Sequence, residues 1–193
     1  MKGYLLIFLF SGQLLFAQSE KKKIFPTSAV AVQYAGSIGW LSAGYFRQST
    51  NKKFELGLIY GYTPESLGGE IHSFALKLIY EPFTIAVTPQ LQIEPLQTGI
   101  FVTQNFSNNL FWSWSDKYDR GYYWWTNSMR FHFFLGTQAS CVFNHKVVEK
   151  ISFFFETNTN DLYVFSYFGN QNYRSLDLDD IFFFGIGSKV YFK

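Results

Sequence analysis

The sequence predicts an all-β protein, an eight-stranded antiparallel up-and-down transmembrane β-barrel that follows an N-terminal signal peptide. Three observations predict it. The chain opens on an apolar segment with an export pattern. Eight later blocks alternate apolar and polar residues with period two, separated by turn residues. The connections between blocks are unequal in length, and the two longest fall on one side. The composition agrees: of 193 residues, 48% are hydrophobic, 22% aromatic and only 16% charged. Mean hydropathy is nevertheless near zero. This suits one domain, and it excludes a disordered chain, a collagen and a coiled coil. A net charge of +2 gives no argument for a nucleic-acid partner. The single cysteine, Cys141, excludes an intrachain disulfide framework and a cysteine-clustered zinc site.

Residues 1–18 read as the signal peptide. Lys2 precedes the run from Tyr4 to Phe10, Leu14-Leu15-Phe16 follows, and a cut falls beside Ala17 or Gln18. Ser11, Gly12 and Gln13 interrupt the run, which makes it poor as a helical span of about 20 residues. Residues 19–27, with Glu20, Lys21, Lys22 and Lys23, read as a periplasmic lead-in, and residues 28–193 as the barrel. No cysteine follows the expected cut, so no lipoprotein anchor is expected.

The eight blocks are 28–36, 38–48, 53–62, 71–81, 91–104, 127–140, 147–157 and 180–192. Strand side chains alternate sides, so each block has two faces. In the third, Phe54, Leu56, Leu58, Tyr60 and Tyr62 oppose Glu55, Gly57, Ile59 and Gly61. In the fourth, Phe74, Leu76, Leu78 and Tyr80 oppose Ser73, Ala75, Lys77 and Ile79. In the sixth, Phe131, Phe133 and Leu135 oppose Arg130, His132, Phe134, Gly136 and Gln138. In the seventh, Ile151, Phe153 and Phe155 oppose Lys150, Ser152, Phe154 and Glu156. In the last, Phe182, Phe184, Ile186, Val190 and Phe192 oppose Phe183, Gly185, Gly187, Lys189 and Tyr191. The second block is less clean, with Trp40 and Phe46 on the face of Ser42 and Gly44, and the fifth is broken near Pro95.

The charges follow the same division. Glu55, Lys77, Arg130, His132, Lys150, Glu156 and Lys189 fall opposite the apolar faces, and Glu149, near a strand end, is the clear exception. With the apolar face toward outer-membrane lipid, these seven become a polar network in a lumen that eight strands leave just wide enough for side chains. Trp40, Tyr60, Tyr62, Tyr80, Trp124 and Trp125 lie near strand ends, at the level tryptophan and tyrosine favour. If the first strand starts in the periplasm, connections 36–37, 63–70, 105–126 and 158–179 lie outside, and 49–52, 82–90 and 141–146 inside. Long outer loops and short inner turns are the rule for bacterial barrels.

On these features, over residues 25–193, the chain resembles the small eight-stranded outer-membrane barrels of Gram-negative bacteria. The resemblance implies a partner in the outer-membrane assembly machinery, which in that group reads a terminal aromatic residue; here Phe192 is followed by Lys193. The segment from Phe155 to Asp161 is similar in position to the catalytic segment of lipid A 3-O-deacylases. Glu156 and Asn158 stand where that family has a histidine and a serine, so no catalytic residue carries over.

No metal and no cofactor is expected. His72, His132 and His145 have no ligand spacing on one face, and Asp116, Asp119, Asp177, Asp179 and Asp180 match no calcium-loop template. Gly185-Ile186-Gly187 ends a strand, without the helix a phosphate loop needs. His132 reads as a lumen hydrogen-bonding group. His72 and Ser73 are adjacent and so point to opposite faces, which prevents a simple nucleophile–base pair. The loop from Asn105 to Asn127 is rich in aromatics, and Trp112, Trp114, Tyr118, Trp124 and Trp125 are candidate surface contacts for lipid, sugar or a protein partner. The functional expectation is a non-enzymatic outer-membrane barrel with a structural, adhesive or lipid-interacting role. The alternatives are a lipid-modifying enzyme, and a secreted soluble lipocalin-like barrel with its faces inverted.

Overall fold

The structure is a computed structural model; it describes residues 24–67, 69–108, 110, 126, 128–171, 175 and 177–193. The expected signal peptide and the aromatic residues Trp112, Trp114, Tyr118, Trp124 and Trp125 lie outside the described residues. The strands are β1 (Thr27–Ala35), β2 (Leu41–Gln48), β3 (Phe54–Thr63), β4 (Ile71–Tyr80), β5 (Ile85–Ala86), β6 (Leu91–Phe106), β7 (Met129–Val142), β8 (Val148–Asn160) and β9 (Phe183–Phe192). All pair antiparallel with their neighbours, β4 pairs with β6, and β9 returns to β1. The sheet is therefore a closed barrel of eight long strands, and the two-residue β5 is a small hairpin partner of β6. Closure satisfies the backbone of every long strand and removes its edges.

Each sequence block matches one long strand to within three residues. β1 and β2, β3 and β4, β6 and β7, and β8 and β9 are joined at one end of the barrel, and β2 and β3, β4 and β6, and β7 and β8 at the other, where β1 begins and β9 finishes. The two longest connections in sequence, between β6 and β7 and between β8 and β9, thus join strands at the end away from the start of β1 and the finish of β9.

Three details differ from the sequence reading. β2 starts at Leu41, and Trp40 stands exposed in the preceding turn, stacked edge-on against Tyr34 with centroids 5.9 Å apart; it does not share the inward face of Ser42 and Phe46. The fifth block is one continuous strand, because a register shift between Glu94 and Gln97 absorbs Pro95, which has no N–H to give the ladder. A second shift, between Val148 and Lys150, leaves Glu149 as the extra residue. Its carboxylate pairs with Lys52 at 2.5 Å, so the charge that broke the alternation belongs to a bulge.

The two faces of the wall are opposite in character. Leu58 is 63% and Phe153 64% exposed, as part of an outward cover that includes Leu56, Leu76, Phe133 and Ile186. The buried residues inside include Glu55, Lys77, Glu94, Lys150, Glu156 and Lys189, interleaved with Phe46, Phe101, Phe134, Phe154 and Tyr191. A soluble ligand-binding barrel has the reverse arrangement.

The β1–β2 turn folds into the mouth. Ala35, Gly36 and Ser37 all have left-handed φ (59°, 84° and 67°), and Ile38 is completely buried. The close approach requires glycine at 61, where a Cβ would sit 2.1 Å from the Ile38 carbonyl oxygen.

Candidate functional site

The chemistry of the molecule is concentrated in the lumen. Among the described residues, three buried ion pairs join non-adjacent strands across it. Lys77 of β4 pairs with Glu156 of β8, Lys189 of β9 with Glu55 of β3 at 2.6 Å, and Lys150 of β8 with Glu94 of β6 at 2.9 Å. Taking charges out of water is costly, and a buried pair holds only when the remaining lone pairs are also satisfied. Glu55 accepts from the Tyr191 hydroxyl at 2.6 Å and from Gln48 Nε2 at 3.1 Å. Glu156 accepts from Gln33 Nε2 at 3.1 Å. Glu94 accepts from the Ser140 hydroxyl at 2.9 Å, and Ser140 is 2.8 Å from the Ser152 hydroxyl.

The lysines are also held by rings. Lys77 Nζ lies 4.2 Å from the Phe134 centroid, Lys189 Nζ 4.5 Å from Phe46, and Lys150 Nζ 4.4 Å from Tyr191. In a dry interior each such contact is worth about 2 kcal/mol. Salt pairs and aromatic rings thus pack against one another in the lumen.

The remaining sequence-selected residues sit nearer the loop end. His132 is buried, its ring parallel to Phe101 with centroids 4.3 Å apart, and its Nε2 is 3.2 Å from the Thr103 hydroxyl. Arg130, at the start of β7, is half-buried and donates to the carbonyls of Met129 (2.7 Å) and Thr126 (3.3 Å); it belongs to the rim, apart from the three pairs. Asn158 donates to the Gly36 carbonyl at 3.0 Å and the Phe183 carbonyl at 3.3 Å, which ties the inward turn to β8 and β9. Both residues compared with the deacylase segment, Glu156 and Asn158, are therefore buried and engaged inside the barrel. A group acting on lipid from the wall has to face outward.

The sequence reading placed Gln138 on the inward face but missed Glu94, Glu81, Gln33, Gln48 and Gln97. Glu81 carried a signal, since it shares the parity of Lys77 and so the inward side. Glu94 did not, because the Pro95 bulge breaks parity in its strand.

Two further arrays lie near the loop end. On the outer face, the Tyr60 hydroxyl is 2.7 Å from His72 Nδ1, and Glu70 is 3.6 Å from His72 Nε2. In the 161–182 connection, the carboxylates of Asp177, Asp179 and Asp180 lie within 4.8 Å of one another. The Asp177 backbone N–H donates to Asp180 at 3.0 Å, as in a turn. Each end of the lumen opens into a cavity. The loop-end cavity, about 590 Å³, is lined by Gly36, Ile38, Trp40, Asn105 and Phe183 among others. The terminus-end cavity, about 200 Å³, is lined mainly by charged and amide side chains.

Searches against protein-family models and against curated proteins find no match to this chain.

Proposed function

We propose that the chain is a small outer-membrane barrel, exported by its N-terminal segment, with lipid against its outer wall and an ionic plug in place of a pore. Its role is structural, adhesive or lipid-interacting. One observation carries the reading: an apolar exterior around an interior of paired charges. In water, that exterior would be a liability far beyond the apolar patches soluble monomers tolerate. In hydrocarbon it is the required surface. Along β3 the outward row runs from Phe54 to Tyr62. At about 3.3 Å per residue and a tilt of about 40°, it rises about 20 Å, close to the height of a barrel's apolar band. The outer-membrane assembly machinery is the partner this reading requires during biogenesis, and outer-membrane lipid is the standing one.

Fractionation of Gram-negative cells expressing the full chain tests it. The protein is expected in the outer-membrane fraction, soluble only in detergent, and to migrate differently on gels before and after boiling. Recovery as a soluble periplasmic protein overturns the proposal.

The outward Glu70–His72–Tyr60 array favours one second reading, a lipid-modifying activity at the rim. A histidine bonded to a hydroxyl and flanked by a carboxylate is the arrangement that activates a nucleophile. Lipid A mass spectra from cells with the wild-type chain and with His72→Ala would then differ in acyl composition. Identical spectra leave the array as part of the interfacial belt of aromatic residues.

A further inference from the structure

The lumen holds an odd charge. Among the described residues its buried ionisable groups include three lysines, Lys77, Lys150 and Lys189, and four glutamates, Glu55, Glu81, Glu94 and Glu156. Each lysine is committed to one glutamate. Glu81, only 3% exposed, is left over. Its carboxylate accepts from Gln97 Nε2, and among the described residues no cation lies within ion-pair distance of it. Lys52, which lines the same cavity as Glu81, is taken by Glu149.

Glu81 opens into the terminus-end cavity of about 200 Å³, whose lining includes Gln48 and Glu94. Gln48 supplies a second, independent sign of a missing partner. Its Nε2 donates to Glu55 at 3.1 Å and to the Lys52 carbonyl at 3.5 Å, yet its buried Oε1 has no hydrogen-bond partner. A buried acceptor left unpaired is costly. The cavity therefore holds an uncompensated carboxylate, and the side chain of Gln48 in its wall carries an amide oxygen without a partner.

We propose that this terminus-end vestibule binds one small hard cation, with the Glu81 carboxylate and the Gln48 amide oxygen as the ligands the chain supplies and water completing the shell. An all-oxygen set in a roomy, irregular site suits calcium, which accepts variable geometry and several water ligands. The charges around Glu81 are Glu55 on β3, Glu94 on β6, Lys150 on β8 and Lys189 on β9, with Lys52 and Glu149 at the rim. Counted with Glu81 itself and with Lys77 and Glu156 of the third pair, they leave one net negative charge, which offsets half the charge of a calcium ion.

The test uses the full barrel refolded in detergent micelles, so its outcome does not depend on where the protein resides in the cell. The midpoint of unfolding is measured at pH 8 with CaCl₂, MgCl₂ or NaCl against choline chloride at equal ionic strength. Calcium is expected to raise the midpoint at pH 8. Glu81→Gln should abolish the response, and Gln48→Leu should weaken apparent affinity at least tenfold. Calorimetric titration of the wild type with CaCl₂ at pH 8 should show one saturable site, a readout that needs no variant to fold. Absence of a saturable site, or an undiminished calcium response in Glu81→Gln, overturns the proposal.

Discussion

Breaking the Lys77–Glu156 pair is the sharpest test of the lumen architecture. Both side chains are only 2% exposed. Lys77→Met keeps the aliphatic stem but leaves the Glu156 carboxylate with Gln33 as its remaining bonded partner. It also removes the ammonium held 4.2 Å from the Phe134 ring. Glu156→Gln leaves a buried ammonium over that ring without its carboxylate. Stranding one member of a buried pair costs about 3–5 kcal/mol. The two single losses together thus reach about 6–10 kcal/mol on that basis. The double variant Lys77→Met/Glu156→Gln strands no charge and retains a side chain able to bond Gln33, so it is expected within about 2 kcal/mol of wild type. The coupling energy is then about 4 kcal/mol or more. Urea unfolding of the refolded barrel in lipid vesicles, followed by tryptophan fluorescence and gel mobility, measures all four corners. Single losses below about 1 kcal/mol, or strict additivity, would mean that water reaches the pair and that the lumen is not a closed plug.

The other predictions address the wall, the mouth and the titration of the rim. Leu58→Arg, in the middle of the outward row, should cost about 2–4 kcal/mol for folding into lipid vesicles, measured by equilibrium urea titration; a negligible cost argues that this face does not meet hydrocarbon. Gly61→Ala should cost about 1–3 kcal/mol, because a Cβ meets the Ile38 backbone, and it should expose the 36–40 turn to protease. Gly169→Ala, where a Cβ meets nothing within 4 Å, is the matched control with little effect. Burial, and after it the Glu55 carboxylate, pushes the Glu81 carboxyl up to about 7, so the folded state should hold the extra proton between about pH 4.5 and 7. Its stabilising contribution is present below that window and lost as the pH rises through it. Cation-free unfolding free energies at pH 5 and pH 8 should show this loss in the wild type, and the loss should shrink in Glu81→Gln. Planar-bilayer recording should find no steady conductance, since paired charges and rings pack against one another in the lumen; an open channel would contradict the plug.

Much of the wall was legible because a strand reports its own two faces. The period of two placed Leu56, Leu58, Leu76 and Phe153 on one side of their strands and Glu55, Lys77 and Glu156 on the other, and those sides are outward and inward in the barrel. Strand number and the alternation of long and short connections were equally local, fixed by turn residues and block lengths. Locality failed wherever the ladder changed register: Pro95 hid Glu94, and the β8 bulge made Glu149 look like an exception. It failed again at Trp40, where left-handed residues before it turned Ile38 inward and removed the tryptophan from the strand.

The sequence by itself determined that an apolar sheet face would lie opposite a charged one, because that depends only on neighbours two residues apart. Only the closed barrel decided which charge meets which. Lys189 and Glu55 are 134 positions apart, and Lys77 and Glu156 are 79 apart. Their meeting depends on strand tilt and stagger around the whole ring, which no segment of the chain encodes alone. The unpaired carboxylate of Glu81 is a product of the same closure: it is odd only once the three lysines have been assigned elsewhere.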